Sequence, residues 1–162
     1  MCYAYTVTNE ASRLHDLDDL LASVRVALQR PTYRRKLLSG LDVPGGITTL
    51  RLLRAVEFLS VDEEPSIGDV ATRLAVEHST ASRSVDAAVR SGLLSKHACA
   101  QDLRRTRLDL TSQGRTLLKK ASARRRELLG DITQGWPAED IDQLVELLDA
   151  LRQGFDRLEG SQ

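Results

Sequence analysis

Three hydroxyl side chains and one guanidinium, those of Ser79, Thr80, Ser82 and Arg83, are crowded into one short stretch of the chain. Seryl and threonyl groups are small enough to approach phosphates or base edges, and an arginine fork can donate two hydrogen bonds to one guanine. The set therefore suits the major groove of duplex DNA. The same hydroxyls also cap or solvate helices, so residue type by itself leaves both readings open. Their surroundings favour the first. Ala81, Val85, Ala88 and Val89 share one side at helical spacing, while Ser79, Ser82, Arg83, Asp86 and Arg90 take the other. The spacing predicts a helix over 78–91, closed by Gly92, with its polar first turn exposed.

A second group lies at Gln101-Asp102-Leu103-Arg104-Arg105. Two guanidiniums can reach a narrow minor groove or flanking phosphates, where negative potential is concentrated. Asp102 is a poor DNA contact but a good internal carboxylate, orienting Arg104 through a charge-assisted pair. For Arg105 in particular, an exposed salt bridge worth at most about 1 kcal/mol is the competing reading. Cys99 stands near His97, Arg104 and Arg105, all able to stabilise a thiolate, so oxidation there could disturb the hairpin; an incidental surface cysteine is the simpler reading. His97, Cys99 and Asp102 lack a fourth ligand, and His15 and His78 have no spacing that ties them to the group, so no metal is expected. Glu63-Glu64 reads as a solvated loop and Pro44-Gly45-Gly46 as a turn. With no nucleophile–base set or phosphate loop, no catalytic activity is expected.

These residues need elements to hold them. Ser66 can cap a short helix bearing Ile67, Val70, Ala71 and Leu74, and a brief turn near Ala75 to Glu77 leads into the 78–91 helix. Leu93 to Ala98 and Arg105 to Thr111 are strand candidates, with Leu108 and Leu110 alternating against Arg107 and Asp109, so an antiparallel hairpin follows. Before this lobe, Leu14, Leu17, Leu21, Val24 and Leu28 mark a helix over 9–29 that Pro31 should end. A second helix over 47–60 carries Leu50, Leu53, Val56 and Leu59. After it, Thr111 can cap a helix to about Leu129, interrupted by 130–135. Ile141, Leu144, Leu148, Leu151 and Phe155 then form the seam of a last helix over 137–158.

The expected fold is mainly α with a small antiparallel β-wing, a winged helix-turn-helix with terminal dimerisation helices. One domain of 162 residues is expected: 9–60 as supporting and dimerisation helices, 61–111 as the DNA-binding lobe, and 112–162 as C-terminal helices. Net charge is zero, but it is unevenly placed. Residues 1–65 carry −1, residues 66–126 carry +8 and residues 127–162 carry −7. A cationic block over the helix-turn-helix and hairpin is the footprint of a phosphate-binding surface. No apolar run approaches the roughly 20 residues of a membrane span, and two cysteines make no disulfide framework, so a cytoplasmic protein is expected.

Asp102-x-Arg104, followed by Leu108-x-Leu110-Thr111-x-x-Gly114, resembles the wing signature of the MarR family of bacterial regulators. Ser79 to Asp86 and Arg90-Ser91-Gly92-Leu93-Leu94 resemble that family's helix-turn-helix. Glu77 and His78 depart from the Ser and Pro frequent at its recognition-helix entry. The resemblance implies a homodimer held by the first and last helices, binding a pseudo-palindromic operator in double-stranded DNA and usually repressing nearby genes. The faces at Leu14, Leu17 and Leu21 and at Ile141 to Phe155 fit that role, although the first could pack within one chain. The resemblance also implies no fixed cofactor, but relief by a small aromatic or lipophilic effector. Tyr3, Tyr5, Tyr33, Phe58 and Trp136 could line such a pocket or serve as ordinary packing.

Overall fold

A computed structural model describes residues 10–61, 65–98 and 106–159. Its helices are α1 (Glu10–Gln29), α2 (Pro31–Leu38), α3 (Gly46–Leu59), α4 (Ile67–Leu74), α5 (His78–Arg90), α6 (Ser112–Ile132) and α7 (Ala138–Glu159). Strands β1 (Leu94–Ala98) and β2 (Thr106–Leu110) lie between α5 and α6. The mainly helical fold with an antiparallel wing is as expected. Among the described residues, no helix is long and apolar enough to cross a membrane.

Two boundaries differ from the expectation. Pro31 ends α1 but also starts α2, an element the apolar spacing did not reveal. A proline at the first helical position loses no intrahelical bond, so one residue serves as stop and start. Leu37 on α2 is buried, but the helix is otherwise too polar and short to show a stripe. Gly130 does not interrupt α6, which runs through it to Ile132. Gly135, with φ of 85°, lies in the turn that follows.

The chain forms two compact units, residues 1–124 and residues 125–162. In the first, α3 is buried on more than one side, through Leu50, Leu52, Leu53 and Val56, and supplies the centre of the core. Val70 from α4, Val85 and Ala88 from α5, and Leu117, Leu118 and Ala121 from α6 close around it. Leu93, Leu94, Leu108 and Leu110 seal the edge beneath the hairpin. Each fully buried leucine contributes about 1.5–3 kcal/mol of transfer free energy, so this cluster fixes the lobe that carries the polar residues.

Local signals explain the joints. Ser66 caps α4 in a reciprocal capping box: its hydroxyl accepts from the Asp69 N–H at 3.2 Å, and Asp69 accepts from the Ser66 N–H at 2.8 Å. Ala75 closes α4 with φ of 52°, a left-handed conformation that disfavours a Cβ and here sets the sharp turn into α5. Gly92 takes the same region, with φ of 69°, at the end of α5. Leu108 donates to the Pro65 carbonyl at 2.9 Å and Ser66 bridges Arg107, so the segment entering α4 lies against β2.

The second unit holds the remainder of α6 and all of α7. The seam residues Ile141, Leu144, Leu148 and Phe155 are exposed, Phe155 at 56%, and Leu151 is half-buried. On α1, in the first unit, Leu14, Leu17 and Leu21 are likewise exposed, Leu14 at 61%. Among the described residues, the apolar positions of both helices are largely exposed.

Candidate nucleic-acid interface

Helix α5 divides its residues as its apolar period requires. Ala81, Val85 and Ala88 are buried, Val89 is half-buried, and His78, Ser79, Thr80, Arg83 and Arg90 are exposed. Glu77 precedes the helix without a side-chain cap; its carbonyl accepts from the Thr80 and Ala81 N–H groups. Arg83 folds back toward the first turn, its Nε donating to the Ser79 carbonyl at 3.2 Å and Nη2 approaching Thr80 Oγ1 at 3.5 Å. A guanidinium has five N–H donors, so these contacts orient Arg83 and still leave donors for a base edge. Ser79, Thr80 and Arg83 thus form one exposed group. Ser82 does not fully join it, being half-buried on the side of α5 that also carries Asp86.

Asp86 holds the hairpin. Its Oδ1 pairs with Lys96 Nζ on β1, and that hydrogen bond is the main cause holding the carboxyl below its usual range; desolvation opposes it, and the charges of Lys96 and Arg90 add lesser lowering effects. Sequence reasoning missed this link, because two opposite charges ten residues apart reveal nothing until a helix and a strand face each other. The strands pair as Leu94 with Leu110, Lys96 with Leu108 and Ala98 with Thr106. Leu108 and Leu110 face the core, while Arg107 and Asp109 stay partly exposed on the other face. There His97 Nε2 lies 3.6 Å from Asp109 Oδ2 and 3.2 Å from Ser95 Oγ.

The hairpin root is tied to α6 through Thr111. Its hydroxyl accepts from the Gly114 N–H at 3.0 Å, as the expected helix cap, and donates to the Gly92 carbonyl at 2.7 Å. Gly114 itself passes so close to Leu93 that a Cβ would sit 2.2 Å from the Leu93 carbonyl oxygen. The spacing Thr111-x-x-Gly114 therefore records a cap and a close backbone approach one turn apart.

Asp102, Arg104, Arg105 and Cys99, expected at the hairpin tip, lie outside the described residues, as do Cys2, Tyr3, Tyr5 and Glu63-Glu64. Phe58 is exposed, with the Arg73 guanidinium 3.8 Å over its ring. Trp136 lines an open cleft with Pro137, Leu144 and Leu147 in the second unit. A cavity of about 400 Å³ opens beside the hairpin root, between the Gly40 to Pro44 loop and the start of α6. Leu41, Pro44, Leu93 and Leu117 give it apolar walls, and Gln113, Thr116 and Lys120 give it polar ones.

No known protein-family model matches the chain. Solved structures do. A MarR family protein from Bacillus stearothermophilus is similar over 92% of this chain and 99% of its own, with a TM-score of 0.77 at 17% identity. The chain has the MarR-type winged-helix fold. The transcriptional regulator BldR from Sulfolobus solfataricus is also similar, with a TM-score of 0.70 at 20% identity, over 93% of this chain and 99% of its own. A mutant of S. aureus MepR bound to an oligodeoxyribonucleotide is similar over 86% of this chain and 97% of its own, with a TM-score of 0.58 at 19% identity. In this MarR-type frame α5 occupies the second position of the helix-turn-helix, and β1 and β2 make the wing.

Proposed function

We propose that this protein is a sequence-specific, double-stranded DNA-binding transcriptional regulator, a cytoplasmic homodimer that represses nearby genes and carries no catalytic activity. The observation that carries the reading is the exposed first turn of α5, where Ser79, Thr80 and Arg83 stand clear of a core that fixes the helix from behind. The +8 charge of residues 66–126 supplies the phosphate attraction. The MarR-type fold adds support, since one of the similar structures is bound to an oligodeoxyribonucleotide. Arg104 and Arg105 would extend the grip at the wing tip, with Asp102 orienting Arg104.

Dimerisation is supported by the exposed apolar faces of α1 and α7, which a second copy could cover. Two-fold symmetry would then set two α5 helices against half-sites about 34–36 Å apart, the separation of a pseudo-palindrome. Release by a small aromatic or lipophilic effector is supported by the cavity at the wing root, whose size suits a small ligand and whose walls reach both Leu93 and α6. Oxidation of Cys99 is the second route to release and rests on the sequence.

Selection of bound duplexes from a random DNA pool, at two salt concentrations, tests the function. A recovered pseudo-palindrome with strongly salt-dependent affinity is the expected result. A folded, dimeric preparation that enriches no sequence, with or without reductant, would replace this reading with that of a protein-binding module on the same fold.

A further inference from the structure

Arg51 is an exposed residue of α3, outside the helix-turn-helix and the wing. It lines a small cleft of about 60 Å³ together with Thr48 of its own helix, Val76 in the turn, and Thr80 and Ser84 of α5. At 3.6 residues per turn, Thr80 and Ser84 fall on one flank of α5, and Asp86, which holds the wing through Lys96, falls on the other. Ser79, Arg83 and Arg90 lie between the two flanks, opposite buried Ala81, Val85 and Ala88. The exposed face of α5 is therefore bordered by the wing on one side and by Arg51 on the other.

An α-helix with its side chains is about 10–12 Å across and the major groove is about 12 Å wide, so a seated helix brings each flank against a phosphate wall. The wing takes one wall. From these positions we infer that Arg51 binds a backbone phosphate on the opposite wall, making α3 a third DNA-contacting element. The inference rests on the DNA-binding reading above. Neighbouring cations are otherwise engaged: Arg54 pairs with Glu57 at 3.0 Å, and Arg73 lies over Phe58. Arg51 has no carboxylate partner among the described residues, so its guanidinium is available to an anion. A phosphate contact carries no base information, so Arg51 sets affinity and register while Arg83 reads sequence.

The test measures Kd over a salt series for the full chain on its selected duplex and on a mismatched one. Arg51→Gln, Arg51→Lys and Arg54→Gln are compared with the parent. Arg51→Gln is expected to weaken both duplexes by a similar factor, about three- to tenfold at low salt, and to lower the slope of log Kd against log salt by about one per subunit. Arg51→Lys, which keeps the charge, should preserve the slope, and Arg54→Gln should match the parent. Parental affinity and slope in Arg51→Gln, or a loss confined to one base position, would overturn the inference. A parent that binds no duplex would overturn the DNA-binding reading and Arg51's role with it.

Discussion

Replacing Gly114 by alanine should destabilise the protein, although alanine is the better helix former. The added Cβ would lie 2.2 Å from the Leu93 carbonyl oxygen, 3.1 Å from its carbonyl carbon and 3.3 Å from Leu110 Cδ2. Reaching even 3.0 Å requires the two segments to part by about 0.8 Å, and the nearest atoms are backbone, so no rotamer change relieves the clash. The Leu93 carbonyl also accepts the Thr111 N–H at 3.2 Å, a bond that the displacement would break. Overpacking of this kind costs about 1–3 kcal/mol and the lost hydrogen bond about 1 kcal/mol, against a helix-propensity gain of about 1 kcal/mol. The net expectation is a loss of about 2 kcal/mol, or a fall in Tm of about 4–8 °C for a chain of this length. Gly130→Ala provides the contrast on the same helix: a Cβ there meets nothing within 4 Å, so it should gain about 0.4–1 kcal/mol. Urea and thermal unfolding of both variants would read the two signs. A Gly114→Ala protein as stable as its parent would refute the close-approach reasoning.

The Asp86 carboxyl is held below its usual range chiefly by the Lys96 hydrogen bond, so its contribution to stability is complete above the unfolded value near 3.9 and is lost as pH falls through the lower folded value. Lys96→Met should return the Asp86 titration toward the ordinary range, followed by carboxyl-carbon NMR; an unmoved titration would mean that the pair does not hold in solution. Arg83→Ala should chiefly alter base preference, whereas Arg104→Ala should weaken most duplexes alike and flatten the salt dependence; two variants that bind every duplex like the parent would displace the interface from α5 and the wing. Leu148→Asp combined with Leu151→Asp should lower dimer content in sedimentation velocity, and an unchanged profile would exclude that seam.

The sequence by itself determined the elements whose signals are local. Ser66 and Asp69 specify their cap within four residues, Gly92 stops α5 because it accepts positive φ, and the alternation of Leu108 and Leu110 with Arg107 and Asp109 sets the faces of β2. The exposed group Ser79, Thr80 and Arg83 was legible for the same reason, since helical period alone turns it from the core. Helix α2 was not, because its eight residues, mostly polar and beginning with a proline, show no apolar stripe. Pairings between distant segments were decided only in three dimensions. Nothing in the spacing of Asp86 and Lys96 brings them together, and nothing around Arg51 places it beside Thr80, until the core leucines of α3 dock against α4 and α5. The motif Thr111-x-x-Gly114 stands between these cases. Its cap is local chemistry, but its need for glycine comes from the Leu93 carbonyl, carried there by tertiary packing.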